Sequence, residues 1–559
     1  MARVIQELFI NPPIAVARLG GSTNPQDAYR WVESPNPRSS GETVVAPDWT
    51  LTVRADGSVD PVMPEVLHFR DGALIRPVAP FLELWARIGE PGSAAGTWRD
   101  AALTPAMLSA QGVSLADVRI RVTAVNAKVA RRVGNAALRF GTFPPVEVGA
   151  DDNRITPLLA SSPGGVTRPM IPRGRSIPLG TVQVMRSRPQ PAAGSAPWRE
   201  IVNIEQLRIR FTPARGHVYG PPQSAQPNPT PRGDRAVAVD STRAFLNAQA
   251  GWADVRFTPP DRPGDTYDGS DVGNDRSLGV VDDTCEARID VSLALPQQGG
   301  RVVSAAANVF VSPPDFAPDR RPFLSLADEL NDRSADAGAR SAALAAADLD
   351  IWVEDLFERI QETVALLNVD FWRSVRAATL TGAQLAQPIA GDGTLPARDA
   401  MGARDALRNR LFAVPASNNP NPLPLTRHAR MRHRALSDLQ ALRAFVRQNP
   451  GRLRELIRAP FEIRANEDAA GTTMAMPPFM RNSNAQPLTL SVWQYQLLMK
   501  WVADVEAGIG APGGGVILGR LVPDDAGAAL ARADRPLSEE AAQRREQVLT
   551  RVRAGGPTP

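Results

Sequence analysis

Val281-Asp-Asp-Thr-Cys-Glu-Ala-Arg-Ile-Asp-Val-Ser-Leu293 is a polar turn that runs into a segment where apolar and polar residues partly alternate. A period of two sends alternate side chains to opposite faces, which predicts a half-buried antiparallel strand entered through Asp282 and Asp283. The same pattern recurs toward the N-terminus in Thr50 to Arg54 (TLTVR), Ile120 to Thr123 (IRVT), Gly180 to Met185 (GTVQVM) and Leu207 to Phe211 (LRIRF). These short segments are separated by Pro, Gly, Asn and Asp, as strands joined by turns are. Two Pro-rich stretches, Ser161 to Arg175 and Gly220 to Arg232, read as loops.

Toward the C-terminus the pattern changes after Pro318. Ala327 to Ala347 is rich in alanine, Leu349 to Val375 repeats apolar residues at spacings of three and four, and Asp405 to Phe412 does the same. Helices are also expected at Ala435 to Gln448, stopped by Asn449-Pro450-Gly451, and at Leu490 to Glu506. A glycine-rich link from Gly508 to Gly515 leads to a charged helix over Ser538 to Arg553. The expected class is therefore α+β: a β-rich, sandwich-like antiparallel region over 1–318, a mainly helical region over 319–507, and a link with a tail helix over 508–559.

Composition narrows the function. With 559 residues, 43% hydrophobic and 22% charged, the chain is globular and long enough for roughly two to four domains. Its 52 prolines and 43 glycines favour short elements and many turns. Basic and acidic side chains nearly balance at 63 against 59. The high isoelectric point comes from arginine, because Lys128 and Lys500 are the only lysines and guanidinium groups stay charged. Arg427 to Arg434 (RHARMRHR) carries Ala and Met where stacking on bases would need aromatics, so no nucleic-acid partner is expected. Glu7 interrupts any signal-peptide core and no apolar run is long enough to span a bilayer, so a cytoplasmic protein without a membrane partner is expected.

Few residues are equipped for chemistry. One cysteine, Cys285, excludes an internal disulfide framework and a thiolate zinc cluster. His68, His217, His428 and His433 are scattered, and the last two are five apart rather than four, so no metal is expected. Neither a nucleophile elbow nor a phosphate loop is present, and two lysines give Schiff-base chemistry little material. The candidate catalytic residues are Cys285, Asp282 and Asp283. The aspartates read first as a turn opening a strand, with a hard-cation ligand or a general base as the alternative. The wider cluster from Asp261 to Asp283 lacks the twelve-residue calcium loop ending in Glu.

Five segments, in order, resemble the lysine epsilon-oxidase and glycine oxidase family of quinone enzymes. They are Asn11 to Ser22 (NPPIAVARLGGS); Gly72 to Trp85 (GALIRPVAPFLELW); Val281 to Glu286 with Ser312 to Pro318 (SPPDFAP); Glu354 to Trp372; and MPPFM at Met476 with Pro487 to Trp501. The resemblance implies a cysteine tryptophylquinone, made by joining a cysteine sulfur to an oxidised tryptophan, that condenses with a substrate amine and is reoxidised by oxygen to give peroxide. It places both cofactor residues C-terminal to the segment matched by Leu488 to Trp501, and the 58 residues after Trp501 contain no Cys, Trp or His. A link between Cys285 and a tryptophan is the alternative, against a packed or half-exposed thiol. No cofactor is therefore expected in this chain. The expected function is a quinone-free homologue or split subunit, a scaffold that pairs with itself or with a cofactor-bearing chain. The rivals are an oxygen-dependent amino-acid or amine oxidase that uses Cys285 or an external cofactor, and a non-redox binding or assembly protein.

Overall fold

The computed structural model describes residues 3–33, 43–126, 144–225, 239–250, 281–315, 318, 321–334, 344–365, 443, 446–460, 489–509 and 547. The expected elements at Asp405 to Phe412 and Ser538 to Arg553, the MPPFM motif and nearly all of the region after Gly508 lie outside the described residues. The chain divides into two compact units, one of Met1–Arg30 with Pro47–Phe316 and one of Trp31–Ala46 with Ala317–Pro559.

The first unit is β-rich. One sheet has the order Val4–Asn11, Phe81–Gly89, Arg208–Pro213, Ile177–Val184, Thr156–Ala160, with Arg99–Ala102 also paired to Phe81–Gly89. The other has the order Val146–Gly149, Arg119–Val125, Glu286–Leu295, Arg301–Ser312, Ile14–Arg18. Strand Glu286–Leu295 follows its sequence pattern. Ala287, Ile289, Val291, Leu293 and Leu295 are buried while Glu286 and Arg288 face out. Burial of each large apolar side chain contributes roughly 1.5–3 kcal/mol relative to exposure. The inward rows of both sheets meet in one core that holds Ile5, Leu84 and Phe211 together with Ile120, Ile289 and Val309.

Every pairing within these two sheets is antiparallel except one. Ile14–Arg18 runs parallel to Arg301–Ser312, with Val16 opposite Phe310. The departure from a purely antiparallel expectation follows from Pro12-Pro13. Neither proline can donate to a ladder, and the chain leaves the first sheet there to enter the second, so the consecutive strands never form a hairpin.

Gly180 lies on strand Ile177–Val184 with φ +134°, and a Cβ there would sit 2.4 Å from the Thr212 carbonyl oxygen. Gly180→Ala is expected to lower stability by about 1–3 kcal/mol, read as a lower urea midpoint with an unchanged slope.

The second unit contains helices Leu326–Asp332, Ala346–Ala365, Arg452–Leu456 and Val492–Glu506. Trp352, Leu356, Ile360, Trp493, Leu497 and Trp501 share its core, as three- and four-residue spacing requires. Helix ends are capped by residues the sequence supplies. Ser325 and Asp328 form a capping box, as do Ser491 and Gln494. The alanine-rich stretch is not one helix, because its first helix ends at Asp332 and is followed by a turn at Arg333; among the described residues helix is next found at Ala346–Ala365. The Asp332 carboxylate accepts from the Val492 and Trp493 amides at 2.9 and 2.6 Å, capping another helix instead of extending its own. Among the described residues, no helix is long and apolar enough to cross a membrane.

Candidate functional site

Three of the sequence motifs meet in the β-rich unit. The Ser22 amide donates to the Ile75 carbonyl at 3.0 Å, and Arg18 and Val78 bond each other through their backbones. This approach needs Gly20, whose Cβ would lie 2.5 Å from the Pro77 nitrogen. Arg76 then pairs with Asp71 at 2.8 Å and Asp27 at 3.2 Å. The Asp71 carboxyl is held below its ordinary range, by the Ser22 hydroxyl first and by Arg76 next. On the other side, Arg18 pairs with Asp315 at 3.3 Å and donates to the Pro313 carbonyl.

Asp282, Asp283 and Cys285 lie together where strand Val281–Asp282 pairs with Val218–Tyr219. They differ in environment. Asp282 accepts from the Thr284 amide at 3.2 Å and from its hydroxyl, an Asx turn that opens strand Glu286–Leu295, and its backbone carbonyl accepts from Asn126 at 2.7 Å. Asp283 points inward and is 1% exposed. Its Oδ2 accepts from the His217 amide at 2.9 Å, and its own amide donates to the His217 carbonyl at 3.2 Å. Among the described residues, its Oδ1 has no hydrogen-bond partner. Burial above all, with the nearby charge of Asp282, pushes its carboxyl up to about 6, against the pull of the His217 and Gly216 amides.

Cys285 is 3% exposed, and its thiol donates to the Leu179 carbonyl at 3.3 Å. Burial pushes this thiol up to about 12, with Asp283 and Glu286 adding to the effect. At neutral pH it is neither a nucleophile nor a soft metal ligand.

Sequence reading did not single out Tyr219. Its buried phenol is pushed up to about 12 by burial and then by Asp283, and its ring meets Phe245 edge to face at 5.7 Å. Phe245 in turn lines an open hollow of about 450 Å³ with Pro169, Pro172, Arg173, Pro222 and Asn247. Only spatial pairing across a gap of some sixty residues reveals this, because no linear motif joins the 217–219 and 281–285 segments. His217 lies beside Asp283 through its backbone. Its imidazole is pushed down by burial first, then by Arg243 and Arg215.

A cysteine tryptophylquinone needs a thiol against an indole. Here the sulfur of the single cysteine is directed at a backbone carbonyl. Among the described residues, the buried core that holds it contains no tryptophan. These residues do not fit that cofactor, nor do the described residues gather three or more His, Cys, Asp or Glu side chains that could hold a metal ion.

Solved structures similar to the chain include the following three. The epsilon-lysine oxidase from Marinomonas mediterranea matches at 14% identity and a TM-score of 0.40, over 99% of this chain and 65% of that one. The Schiff base intermediate of L-Lys epsilon-oxidase from the same organism with L-Lys matches at 13% and 0.38, over 94% and 64%. A further crystal structure of that oxidase matches at 12% and 0.39, over 96% and 72%. The chain thus spans just under two thirds of the length of the first two. No family model and no curated protein matches it.

Proposed function

We propose that this chain is a quinone-free relative or split subunit of the amino-acid oxidases it resembles, a scaffold that pairs with itself or with a cofactor-bearing chain. The observation that carries this reading is the state of Cys285, a buried and protonated thiol held on the Leu179 carbonyl. The order of the five sequence motifs supports the kinship, and the contacts of Arg18 with Val78 and Asp315 join segments of the first three within the β-rich unit.

Intact-mass spectrometry, visible absorbance and peroxide release with an amino-acid panel test the reading on the purified chain. The expected results are the mass of the unmodified sequence, no quinone band and no peroxide, with a second polypeptide or a second copy in the native-mass spectrum. A thioether mass change at Cys285, or amine oxidation by the chain alone, would sink it in favour of an oxidase built on this residue.

A further inference from the structure

We infer that Asp283 is a proton-operated latch, which holds the strand pair of His217–Tyr219 and Val281–Cys285 closed as a neutral acid and releases it on ionisation. The geometry has three parts. Asp283 and His217 close a ring through two hydrogen bonds, so this one residue joins both segments by backbone and side chain. The second carboxyl oxygen is buried and lacks a hydrogen-bond partner among the described residues, an arrangement that tolerates a hydroxyl far better than a full negative charge. Its immediate titratable neighbours do not favour an anion. Asp282 is a like charge on the same segment, Tyr219 on the facing strand and Cys285 at the start of the next are both neutral, and the His217 imidazole is held toward its neutral form. The guanidinium groups of Arg243 and Arg215 act on His217, and Arg243 on Tyr219, while burial still dominates at Asp283.

Release would reach the open hollow. Tyr219 runs into Gly220, whose amide donates to the Arg243 carbonyl at 3.2 Å and whose carbonyl accepts from Leu246 at 2.8 Å. The Tyr219 ring also supports Phe245 in the wall of that hollow. The latch therefore sets the shape of the hollow according to pH, independently of the proposed scaffold role.

Hydrogen-exchange protection factors for residues 216–220 and 281–285, corrected for intrinsic exchange, test it on the full chain between about pH 5 and about pH 8. The expected result is a fall of about tenfold or more across that range in the wild type. Asp283→Asn should hold protection level with pH. Asp282→Asn, which removes the like charge, should move the midpoint to lower pH and remains informative if the first variant folds poorly. Level protection in the wild type, an equal fall in Asp283→Asn, or an unmoved midpoint in Asp282→Asn overturns the latch.

Discussion

Asp355→Ala is expected to destabilise the helical unit by about 3–5 kcal/mol, the range for removing one partner of a buried ion pair. Asp355 is 0% exposed and meets two guanidinium groups, Arg321 at 2.8 Å and Arg359 at 2.9 Å. Arg359 is itself buried and donates to the Phe323 carbonyl at 3.1 Å, while Gln494 donates to the same oxygen at 2.6 Å. Losing the carboxylate leaves positive charge in a site from which water is largely excluded. Asp328, 3.7 Å from Arg359 against 2.9 Å for Asp355, is too distant to replace it as an ion-pair partner of equal strength. Urea denaturation followed by tryptophan fluorescence reports on this core, since Trp352, Trp493 and Trp501 all lie in it. The double variant Asp355→Leu with Arg359→Met should lose clearly less than the sum of the two single changes, because it removes the more deeply buried of the two guanidinium groups together with the carboxylate they share. By contrast, the exposed pair of Arg87 and Glu7 at 2.8 Å should contribute little to stability, because solvent screens it. Strict additivity at 355 and 359 would mean that the network is not coupled as its geometry states.

The strands were legible because their signal is local. Ala287 to Leu293 alternates, and the structure buries its apolar row and exposes Arg288. Gln448 ends its helix where Asn449-Pro450-Gly451 says it must, with Gly451 at φ +79°. The parallel ladder of Ile14–Arg18 on Arg301–Ser312 was not legible, because its partners lie almost three hundred residues apart and side-chain periodicity carries no strand direction. The break after Asp332 was hidden for a related reason. Alanine propensity favours continuing the helix, and only the tertiary position of Val492 and Trp493 gives the Asp332 carboxylate something better to bond. At the candidate site, sequence named Asp282, Asp283 and Cys285 but could not separate the two aspartates. One caps a turn at the surface of a strand and the other is buried, a distinction made by which face each occupies once Val218–Tyr219 has paired beside them.

That difference has a thermodynamic consequence that reaches beyond the local strand pair. A carboxyl with an ordinary value of 3.8, pushed up to about 6 in the folded chain, makes the native state bind a proton more tightly than the unfolded one. The stabilisation is fully present below about pH 4, is lost as pH rises toward 6, and stays lost above it. A difference of that size corresponds to about 3 kcal/mol. Asp71 and Asp117 are shifted the opposite way by their serine partners and contribute stability that is lost as pH falls into the acid range, so the raw wild-type curve mixes both signs. The difference between wild type and Asp283→Asn isolates the buried group. The amide oxygen keeps the His217 bond, the NH₂ takes the place of the unpartnered Oδ1, and no charge is buried at any pH. Asp283→Asn is therefore expected to match the wild type near about pH 4 and to exceed it by up to about 3 kcal/mol near about pH 7.5, measured by urea denaturation at each pH. A variant less stable than wild type at neutral pH would show that Asp283 is ionised and satisfied in the folded chain, and that its burial serves some purpose other than storing a proton.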